Sequence, residues 1–447
     1  MNQKFLNWSL SMIQRILSPQ RKYFYGWVIV SLSMISMAFW FGIRTTFSVF
    51  FVALIDHFHW SRAEAAGAQS IAMVVYMIMA PTIGTLVDRI GPRKVILPGI
   101  ILTGLGLLLC TQIKTVLQFY LFFGIIVGIG VTCLSIAPFT VILAHWFERK
   151  RGTANGLSGV GIGLGIFILV PLIQYLISSR GWPFAFFIFS LLILAIPLPL
   201  NALFLKHRPQ EMGLFPDGDS SSDLNEKDHQ KIQSNKVLHP SPIQKDQELK
   251  KIFKTSQFWY VICFPPFTTF GVYIIIVHYI KYLVDLNVDK IWAASLFAAI
   301  GALSAGFRFF WGWFSDRGSR EVTFTLGSVC FSSGILFLLL FQYIPSLVLL
   351  YLFTFFFGTG WGVTAPMFMS ITGDLYKGKN FGLIYGMVEG AIGLGSALGA
   401  WVAGYIFDQT QNYLWAFVLA ILLNLISILL VWLAAPHKFH GPHPLPF

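Results

Sequence analysis

The chain is a series of long apolar runs separated by short polar connections. Twelve of these runs are long enough for a helix to cross the hydrocarbon core of a bilayer, which takes about 20 residues. Unpaired backbone groups are not tolerated in lipid, and the runs lack the alternating pattern of an outer-membrane strand. The pattern therefore predicts an all-α polytopic membrane protein with twelve transmembrane helices, at about 24–52, 62–87, 95–113, 117–145, 153–178, 183–205, 256–284, 291–315, 323–343, 347–372, 381–407 and 414–435.

A polar segment divides this series into two halves of six runs. Residues 206–255 are rich in Ser, Pro, Lys and Asp and nearly free of aromatic residues, which is typical of a flexible linker. Before the first run, apolar residues between Phe5 and Leu17 recur at helical spacing, which indicates either an amphipathic helix on the membrane surface or a disordered tail. The apolar stretch there is too short, and lacks the cleavage site, for a signal peptide.

Charge distribution predicts the orientation of the helices. The chain is 56% hydrophobic and 11% charged with a net charge of +12, but its basic residues cluster in the connections, which excludes a nucleic-acid-binding protein. One set of connections holds "DRIGPRK" (88–94), "ERKR" (148–151), "DRGSR" (316–320) and "KGK" (377–379), and this set is predicted to be cytoplasmic together with both termini. The predicted organisation is a cytoplasmic segment, a six-helix half, a cytoplasmic linker, a second six-helix half and a cytoplasmic tail, at 1–23, 24–205, 206–255, 256–435 and 436–447.

The sequence contains no pattern typical of an enzyme, a metal site or a cofactor site. The four cysteines lie in apolar runs without a C-x-x-C pair, and no nucleophile with its base or His/Glu cluster occurs within the spans. The histidines of the tail, His437, His440 and His443, fit a solvated segment better than a metal site. We therefore expect neither catalysis nor a bound metal or cofactor.

An internal repeat relates the two halves. "GTLVDRIGPRK" (84–94) follows the second run, and "GWFSDRGSR" (312–320) follows the eighth run at the corresponding place in the second half. Both contain Gly-x-x-x-Asp-Arg followed by a Gly and another Arg. A repeat at half the chain length is the layout of many secondary transporters.

At these residues the chain resembles the major facilitator superfamily, whose signature is G-x-L-x-D-R-x-G-x-R-K. Every signature position is filled, and the resemblance implies the major facilitator fold, with this cluster acting as a latch of the cytoplasmic gate. Asp88 is suited to accept hydrogen bonds from the N-terminal amides of a neighbouring helix. A purely topological role of these charges is the alternative. The implied gate residues are Gly84, Asp88, Arg89, Gly91, Arg93, Lys94, Asp316 and Arg317.

Three further stretches are similar to the monocarboxylate transporters and their bacterial relatives, the oxalate/formate exchanger group. These stretches are residues 25–51, 145–165 ("HWFERKRGTANGLSGVGIGLG") and 208–218 ("RPQEMGLFPDG"). In that group an arginine of the eighth helix binds the substrate carboxylate, and the resemblance assigns this role to Arg308.

The residues around Arg308 support the same assignment. An arginine at mid-span costs about 2.5–3.5 kcal/mol on the insertion scale, so it should face water, a counter-charge or a ligand. Ser304, Ala305 and Arg308 lie on the small and polar face of this helix, opposite a face of large apolar residues. Guanidinium binds a carboxylate through two parallel hydrogen bonds, which lysine cannot reproduce. A structural ion pair with an acid of another helix is the alternative.

Four more residues are candidates for the transport path. Arg44 is either an external capture site or an interfacial anchor. Glu389, the acid farthest from any span end, is either a proton carrier or a static partner of an arginine, and Tyr385 shares its stretch "YGMVEGAIGLGSALG" (385–399). His278 either lines the path or forms hydrogen bonds near the interface.

Two positions depart from the pattern of the related carriers. Ser304 stands where an acid often precedes the arginine of the eighth helix by one turn, which weakens the inference of the usual proton mechanism. Val388 stands where related dicarboxylate carriers use a basic residue, which argues against a small dianion such as oxalate.

Together these features predict a secondary active transporter of small organic anions, monocarboxylates of the lactate or pyruvate type, by proton-coupled symport. An oxalate/formate-type exchanger and an exporter of a larger amphiphile, such as a drug or siderophore, are the alternatives. The expected partners are the anion, a proton or counter-anion and the lipid bilayer, and we expect a monomer. The resemblance to bacterial relatives implies a bacterial inner membrane.

Overall fold

The structure is a computed structural model, and it describes residues 24–147, 150–218, 252–376 and 381–434. The expected N-terminal segment, most of the linker and the tail lie outside the described residues. Within the described ranges every regular element is helical.

Within these ranges twelve helices are long and apolar enough to cross a membrane, which confirms the predicted number and fold class. We label them in chain order: α1 (Gly26–Phe58), α2 (Arg62–Ile90), α3 (Pro92–Cys110), α4 (Val116–Trp146), α5 (Arg151–Arg180), α6 (Trp182–Phe204), α7 (Ser256–Asp285), α8 (Lys290–Arg317), α9 (Arg320–Tyr343), α10 (Leu347–Leu375), α11 (Phe381–Thr410) and α12 (Leu414–Ala434).

Three of the helices are interrupted. In α6 the α-helical turns stop at Ile196 and resume at Pro197, whose missing amide hydrogen suits the first position of a helix. Helix α10 is broken at Val363. Helix α4 contains a π-helical stretch, Tyr120–Val127, near its start. Single π turns are common at functional sites because they widen the helix and redirect its side chains.

Glycines set the packing inside each half in the same way. A Cβ at Gly161 or Gly165 of α5 would lie 2.0 Å from a backbone carbonyl oxygen of α1. A Cβ at Gly395 or Gly399 of α11 would lie 2.2 Å from a carbonyl oxygen of α7. Small residues spaced by four allow two helix backbones to touch. Because α5 and α11 are the fifth helices of their halves, this packing shows the internal repeat in three dimensions.

A neighbouring glycine on each of these helices faces the other half. A Cβ at Gly163 of α5 would lie 2.3 Å from Cβ of Ala305 on α8, and one at Gly393 of α11 would lie 3.0 Å from Cβ of Met77 on α2. The two halves therefore meet closely along α5 with α8 and along α2 with α11. We call this contact the seam.

The seam differs at its two ends. At the end that contains the start of α2, a Cβ at Gly404 would lie 2.8 Å from the backbone of Arg62 and Ala63, so the halves touch there. We call this the closed end. Toward the opposite end, a Cβ at Gly156, Gly159 or Gly386 would meet no atom within 4 Å. The halves diverge in that direction, and we call it the open end.

Part of the predicted linker is packed against the first half. Residues 206–218 contain two short 3-10 turns. Trp146 Nε1 donates to the carbonyl of Lys206 at 3.1 Å, and the Lys150 amide donates to Asp217 at 3.3 Å. The sequence predicted a flexible linker over 206–255, whereas residues 206–218 are packed on the first half.

Candidate functional site

Arg308 lies on α8 where the two halves begin to separate. It follows Ala305 by three residues and so shares the face of α8 that meets Gly163 of α5. One turn nearer the open end on α5, a Cβ at Gly159 would meet nothing. The guanidinium thus lies beside the point at which the seam opens.

Among the described residues the Arg308 side chain has no acidic partner. It is half-buried and its Nε is fully buried, yet among the described residues no ion pair or hydrogen bond reaches it. One turn away, Ser304 is 1% exposed, and its hydroxyl also lacks a partner. Buried polar groups in proteins are nearly always satisfied. The two residues therefore present donors to whatever enters the seam.

Arg44 lies near the middle of α1 rather than at its end. It is 7% exposed, and its guanidinium carbon lies 4.8 Å from the ring centre of Trp40 and 4.3 Å from that of Tyr76 on α2. Aromatic faces attract a cation through the ring quadrupole. The interfacial-anchor interpretation does not fit this position, because a residue so deep and enclosed does not reach the headgroups.

Glu389 of α11 faces Arg44 through an intervening tyrosine. The Tyr76 hydroxyl donates to Glu389 Oε2 at 2.8 Å across the seam, and Tyr385, one turn earlier on α11, hydrogen-bonds the same carboxylate. No ion pair joins Glu389 to an arginine among the described residues. In the middle of the seam, the Glu389 carboxylate is therefore bonded to Tyr76 and Tyr385. The Arg44 guanidinium lies over the ring of Tyr76.

His278 forms part of a hydrogen-bonded chain and does not line an open path. It is fully buried; its Nε2 lies 2.8 Å from the Ala400 carbonyl, and its Nδ1 lies 3.0 Å from the Tyr413 hydroxyl. A carbonyl only accepts, so Nε2 carries the proton and Nδ1 accepts from Tyr413. Arg62 Nη1 in turn donates to the Tyr413 oxygen at 2.7 Å. His278 thus supports the position of Arg62.

Arg62 joins the two halves at the closed end. Its guanidinium pairs with Asp285 of α7 and lies 3.3 Å from the ring centre of Phe407 on α11. Asp408 of α11 accepts from the amides of Arg62 at 2.9 Å and of Ala63 at 2.8 Å. A carboxylate at a helix N-terminus satisfies free amides and opposes the positive end of the helix dipole.

A second ion-pair group flanks this contact. Asp56 of α1 accepts from Lys281 at 3.0 Å and from Lys290 at 2.8 Å, both in the other half. Asp56 and Lys290 are more than a third exposed, so each pair is worth about 0–1 kcal/mol. Arg62, Asp285 and Asp408, together with Asp56, Lys281 and Lys290, form what we call the closed-end cluster.

The predicted gate residues of the first half lie at the open end, and the bond described for Arg93 stays within that half. Gly91 ends α2 at a φ of 86°, which favours glycine, and α3 begins directly at Pro92. Arg93 donates to the Ala202 carbonyl of α6, while Arg89 and Lys94 are exposed. For Gly84 and Asp88 the structure describes the helical backbone alone.

The counterparts in the second half behave similarly. Asp316 accepts from Arg320 at 3.0 Å, and Arg320 also pairs with Asp374 of α10 at 3.0 Å. Arg317 lies 4.2 Å from the ring centre of Trp313. The contacts described for these residues join helices of one half.

Comparison with known proteins identifies the family. The family model described as Major Facilitator Superfamily matches residues 29–376 and 292–445. The chain belongs to this superfamily. Monocarboxylate transporter 13 of Bos taurus is 28% identical over 89% of this chain and 86% of that protein, and monocarboxylate transporter 2 of Homo sapiens is 27% identical over 87% and 81%.

Solved structures of the superfamily share the fold. The D-xylose–proton symporter superposes with a TM-score of 0.71 at 14% identity, covering 92% of this chain and 98% of that one. A bacterial homologue of the human lysosomal transporter Spinster superposes with a TM-score of 0.68 at 15% identity, covering 93% and 98%. The protein is therefore an integral, multi-pass membrane protein of a secondary transporter family, and its relatives are monocarboxylate transporters.

Sequence reasoning missed several residues of this transporter's seam. Tyr76 was overlooked, although a tyrosine within an apolar helix needs a partner for its hydroxyl. Asp285 and Asp408, two isolated acids at the ends of spans, were overlooked too. Arg62 and Lys281 are isolated bases at the same end of the molecule, and both pair with Asp285. Complementary charge within one set of connections was the available signal. Among the described residues no group of three His, Cys, Asp or Glu side chains could hold a metal.

Proposed function

We propose that this transporter moves small organic anions, with monocarboxylates as the substrate class, by alternating access. The observation that carries the proposal is Arg308, a half-buried arginine beside the opening of the seam without an acidic partner. Guanidinium matches a carboxylate with two parallel hydrogen bonds. A monocarboxylate would supply the single negative charge that the surroundings of Arg308 lack.

A single carboxylate is also the best charge match for the middle of the seam. Arg44 already lies between two aromatic faces and near Glu389, whereas Val388 leaves α11 without a basic residue at that depth. A dianion would need a second free cation. The relatives that are named monocarboxylate transporters support the same class.

The second part of this proposal is proton coupling, with Glu389 as the residue that carries the proton. Its carboxylate bridges the halves by accepting from Tyr76 of α2. Protonation would remove the negative charge of Glu389, and binding of the anion at Arg308 would add a negative charge. Loading both would therefore leave the net charge of the seam unchanged. Alternating access with coupled loading requires such a dependence between the two ligands.

The open end would face the cytoplasm, with both chain termini on that side. The basic connections between spans support this orientation because they lie at the open end. The closed-end cluster would then be the external gate, and the signature residues would form the cytoplasmic gate when the halves tilt the other way. We place the protein in a bacterial inner membrane as a monomer, on the resemblance to the bacterial exchanger group.

Uptake by proteoliposomes tests this function. Labelled lactate, pyruvate, formate and oxalate are offered separately, with and without a pH gradient that is acidic outside. We expect saturable uptake of a monocarboxylate, stimulated by the gradient, and little uptake of oxalate. Uptake that needs a loaded counter-anion and ignores the gradient would instead identify an exchanger. Absence of any carboxylate uptake, with uptake of an amphiphilic drug, would overturn the substrate class.

A further inference from the structure

A buried histidine, His278 of α7, lies where the two halves meet near the closed end. From the first half, the Phe51 ring of α1 covers the imidazole ring edge to face, with ring centres 4.9 Å apart. From the second half, the Ala400 carbonyl lies 2.8 Å from Nε2 and the Tyr413 hydroxyl 3.0 Å from Nδ1. Separation of the halves at this end takes Phe51 away and exposes the imidazole ring to water.

The closed arrangement uses both nitrogens of an uncharged ring. Nε2 of His278 donates to the Ala400 carbonyl, so Nδ1 is the acceptor for the Tyr413 hydroxyl. The Tyr413 oxygen in turn accepts from Arg62 Nη1 at 2.7 Å. A second proton on Nδ1 would replace this acceptor by a donor, and the hydrogen of the Tyr413 hydroxyl would lose its partner. The chain of hydrogen bonds from Arg62 to Ala400 therefore requires a neutral His278.

The charges around His278 also oppose a second proton on its ring. Arg62 of α2 places a guanidinium on the other side of the tyrosine hydroxyl, and the α1 residue that covers the ring is an uncharged phenylalanine. Asp285 of α7 and Asp408 of α11 bond to Arg62. Among the described residues no carboxylate forms an ion pair with His278. A buried imidazolium would therefore be uncompensated, which is costly.

We propose that His278 is a proton sensor of the gate at the closed end, where a neutral ring permits closure and a protonated ring favours opening. A ligand that binds one conformation only shifts the equilibrium toward that conformation. A histidine exposed to water takes up a proton near pH 6.5. If the closed conformation excludes this proton, the ratio of open to closed molecules rises about tenfold between pH 7.5 and pH 5.5.

This sensor is separate from the proton carrier proposed at Glu389. Glu389 lies in the middle of the seam and accepts from Tyr76, whereas His278 belongs to the hydrogen-bonded chain of Arg62. The effect of the proton on the gate is independent of the transported compound. That the sensed pH is the external one rests on the proposed function, in which the closed end faces outward. Acid outside then opens the external gate when protons are abundant there.

The sensor is tested by measuring gate opening without substrate. Spin labels at Leu117→Cys and Ile291→Cys lie at the starts of α4 and α8, where these residues are 76% and 46% exposed. Double electron–electron resonance then measures the distance between the halves at the closed end. The protein is held in lipid nanodiscs with its four native cysteines replaced. We expect the ratio of long to short distances to rise about tenfold from pH 7.5 to pH 5.5.

Two substitutions remove the titrating group. His278→Asn keeps an acceptor for the Tyr413 hydroxyl, and His278→Gln keeps a side-chain donor for the Ala400 carbonyl. Neither side chain titrates, so each variant should show the same distances at both pH values. His57→Gln is the control, because His57 is an exposed histidine at the closed end of α1, and it should keep the tenfold response.

A distance distribution that does not change with pH in the chain with His278 intact would overturn the sensor. A response retained in both His278 variants would overturn it too, and a response lost in His57→Gln would assign it to an exposed histidine. If one His278 variant fails to fold, the other variant and the chain with His278 intact still decide. The measurement contains no substrate, so absence of carboxylate uptake would overturn the proposed function and leave the sensor standing.

Discussion

Arg62 and Arg308 are both arginines at the seam of this transporter, but they have opposite surroundings. Arg62 pairs with Asp285, donates to Tyr413 and lies over Phe407, and Asp408 of the other half accepts from its amide. Arg308 has none of these partners among the described residues. A cation that is paired across the two halves stabilises one arrangement of the halves. A cation with free donors is available to a ligand.

The same contrast separates the two ends of the molecule. At the closed end, acids and bases of different halves are paired, and Asp408 caps the first turn of α2. At the open end, Arg320 pairs with Asp316 and Asp374 of its own half. In this conformation the cross-half contacts hold one end shut and leave the other apart.

The largest expected effect is that of Arg308→Lys. The charge remains but the two parallel hydrogen bonds do not, so we expect uptake to fall at least about tenfold, the cost of losing roughly 1.5–3 kcal/mol. The measurement is initial uptake of labelled monocarboxylate by proteoliposomes. Arg180→Lys is the control, because Arg180 is exposed at the end of α5. Near-normal uptake by Arg308→Lys would contradict the proposal that Arg308 binds the substrate carboxylate.

Glu389→Gln asks whether the acid in the middle of the seam is a proton carrier or a static partner. The amide oxygen still accepts from Tyr76, so we expect folding and exchange between two loaded compartments to be retained. Accumulation driven by a pH gradient should be lost, since the amide does not titrate. If accumulation still follows the gradient, Glu389 is structural. If the variant instead fails to fold, the charge of Glu389 is required by the folded structure, and its role is static.

Arg62→Ala tests the paired arginine of the comparison, because it disrupts the closed-end cluster. Removing the guanidinium leaves Asp285 without its partner in the other half and takes away the donor to the Tyr413 hydroxyl, so we expect the closed end to open more often. A cysteine at Ser70, whose hydroxyl donates to the Ala397 carbonyl across the seam at 2.8 Å, reports this opening through its labelling by a polar thiol reagent. We expect protection in an otherwise wild-type chain without other cysteines, and rapid labelling with Arg62→Ala. Equal labelling in both would mean that Arg62 does not hold the halves together.

The smallest expected effect is that of Lys290→Gln. Its pair with Asp56 is exposed, and Lys281 remains as a second partner of the same carboxylate. We expect a change of no more than about 1 kcal/mol, visible as a slight increase in Ser70→Cys labelling at low salt and none at high salt. An effect as large as that of Arg62→Ala would show that the cluster acts as one unit rather than through its buried arginine.

Much of the architecture could be predicted because membrane spans are encoded locally. The apolar runs, the polar interruption and the signature loop with Gly91 and Pro92 are visible one segment at a time, and all twelve helices are confirmed. Arg308 could be singled out for the same reason, since a cation within an apolar run is costly wherever the run is placed. The neighbours of Arg308 could not be predicted, because they come from other helices.

The sequence by itself determined which segments are helices, that the halves repeat, and which charges lie at depth, since these follow from local hydropathy and spacing. The tertiary structure alone decided that Glu389 meets Tyr76, that Arg62 meets Asp285 and Asp408, and that Arg308 keeps an unsatisfied donor. The physical reason is separation along the chain. Arg62 and Asp408 are 346 residues apart, and their contact depends on how the two halves tilt, which no local pattern records.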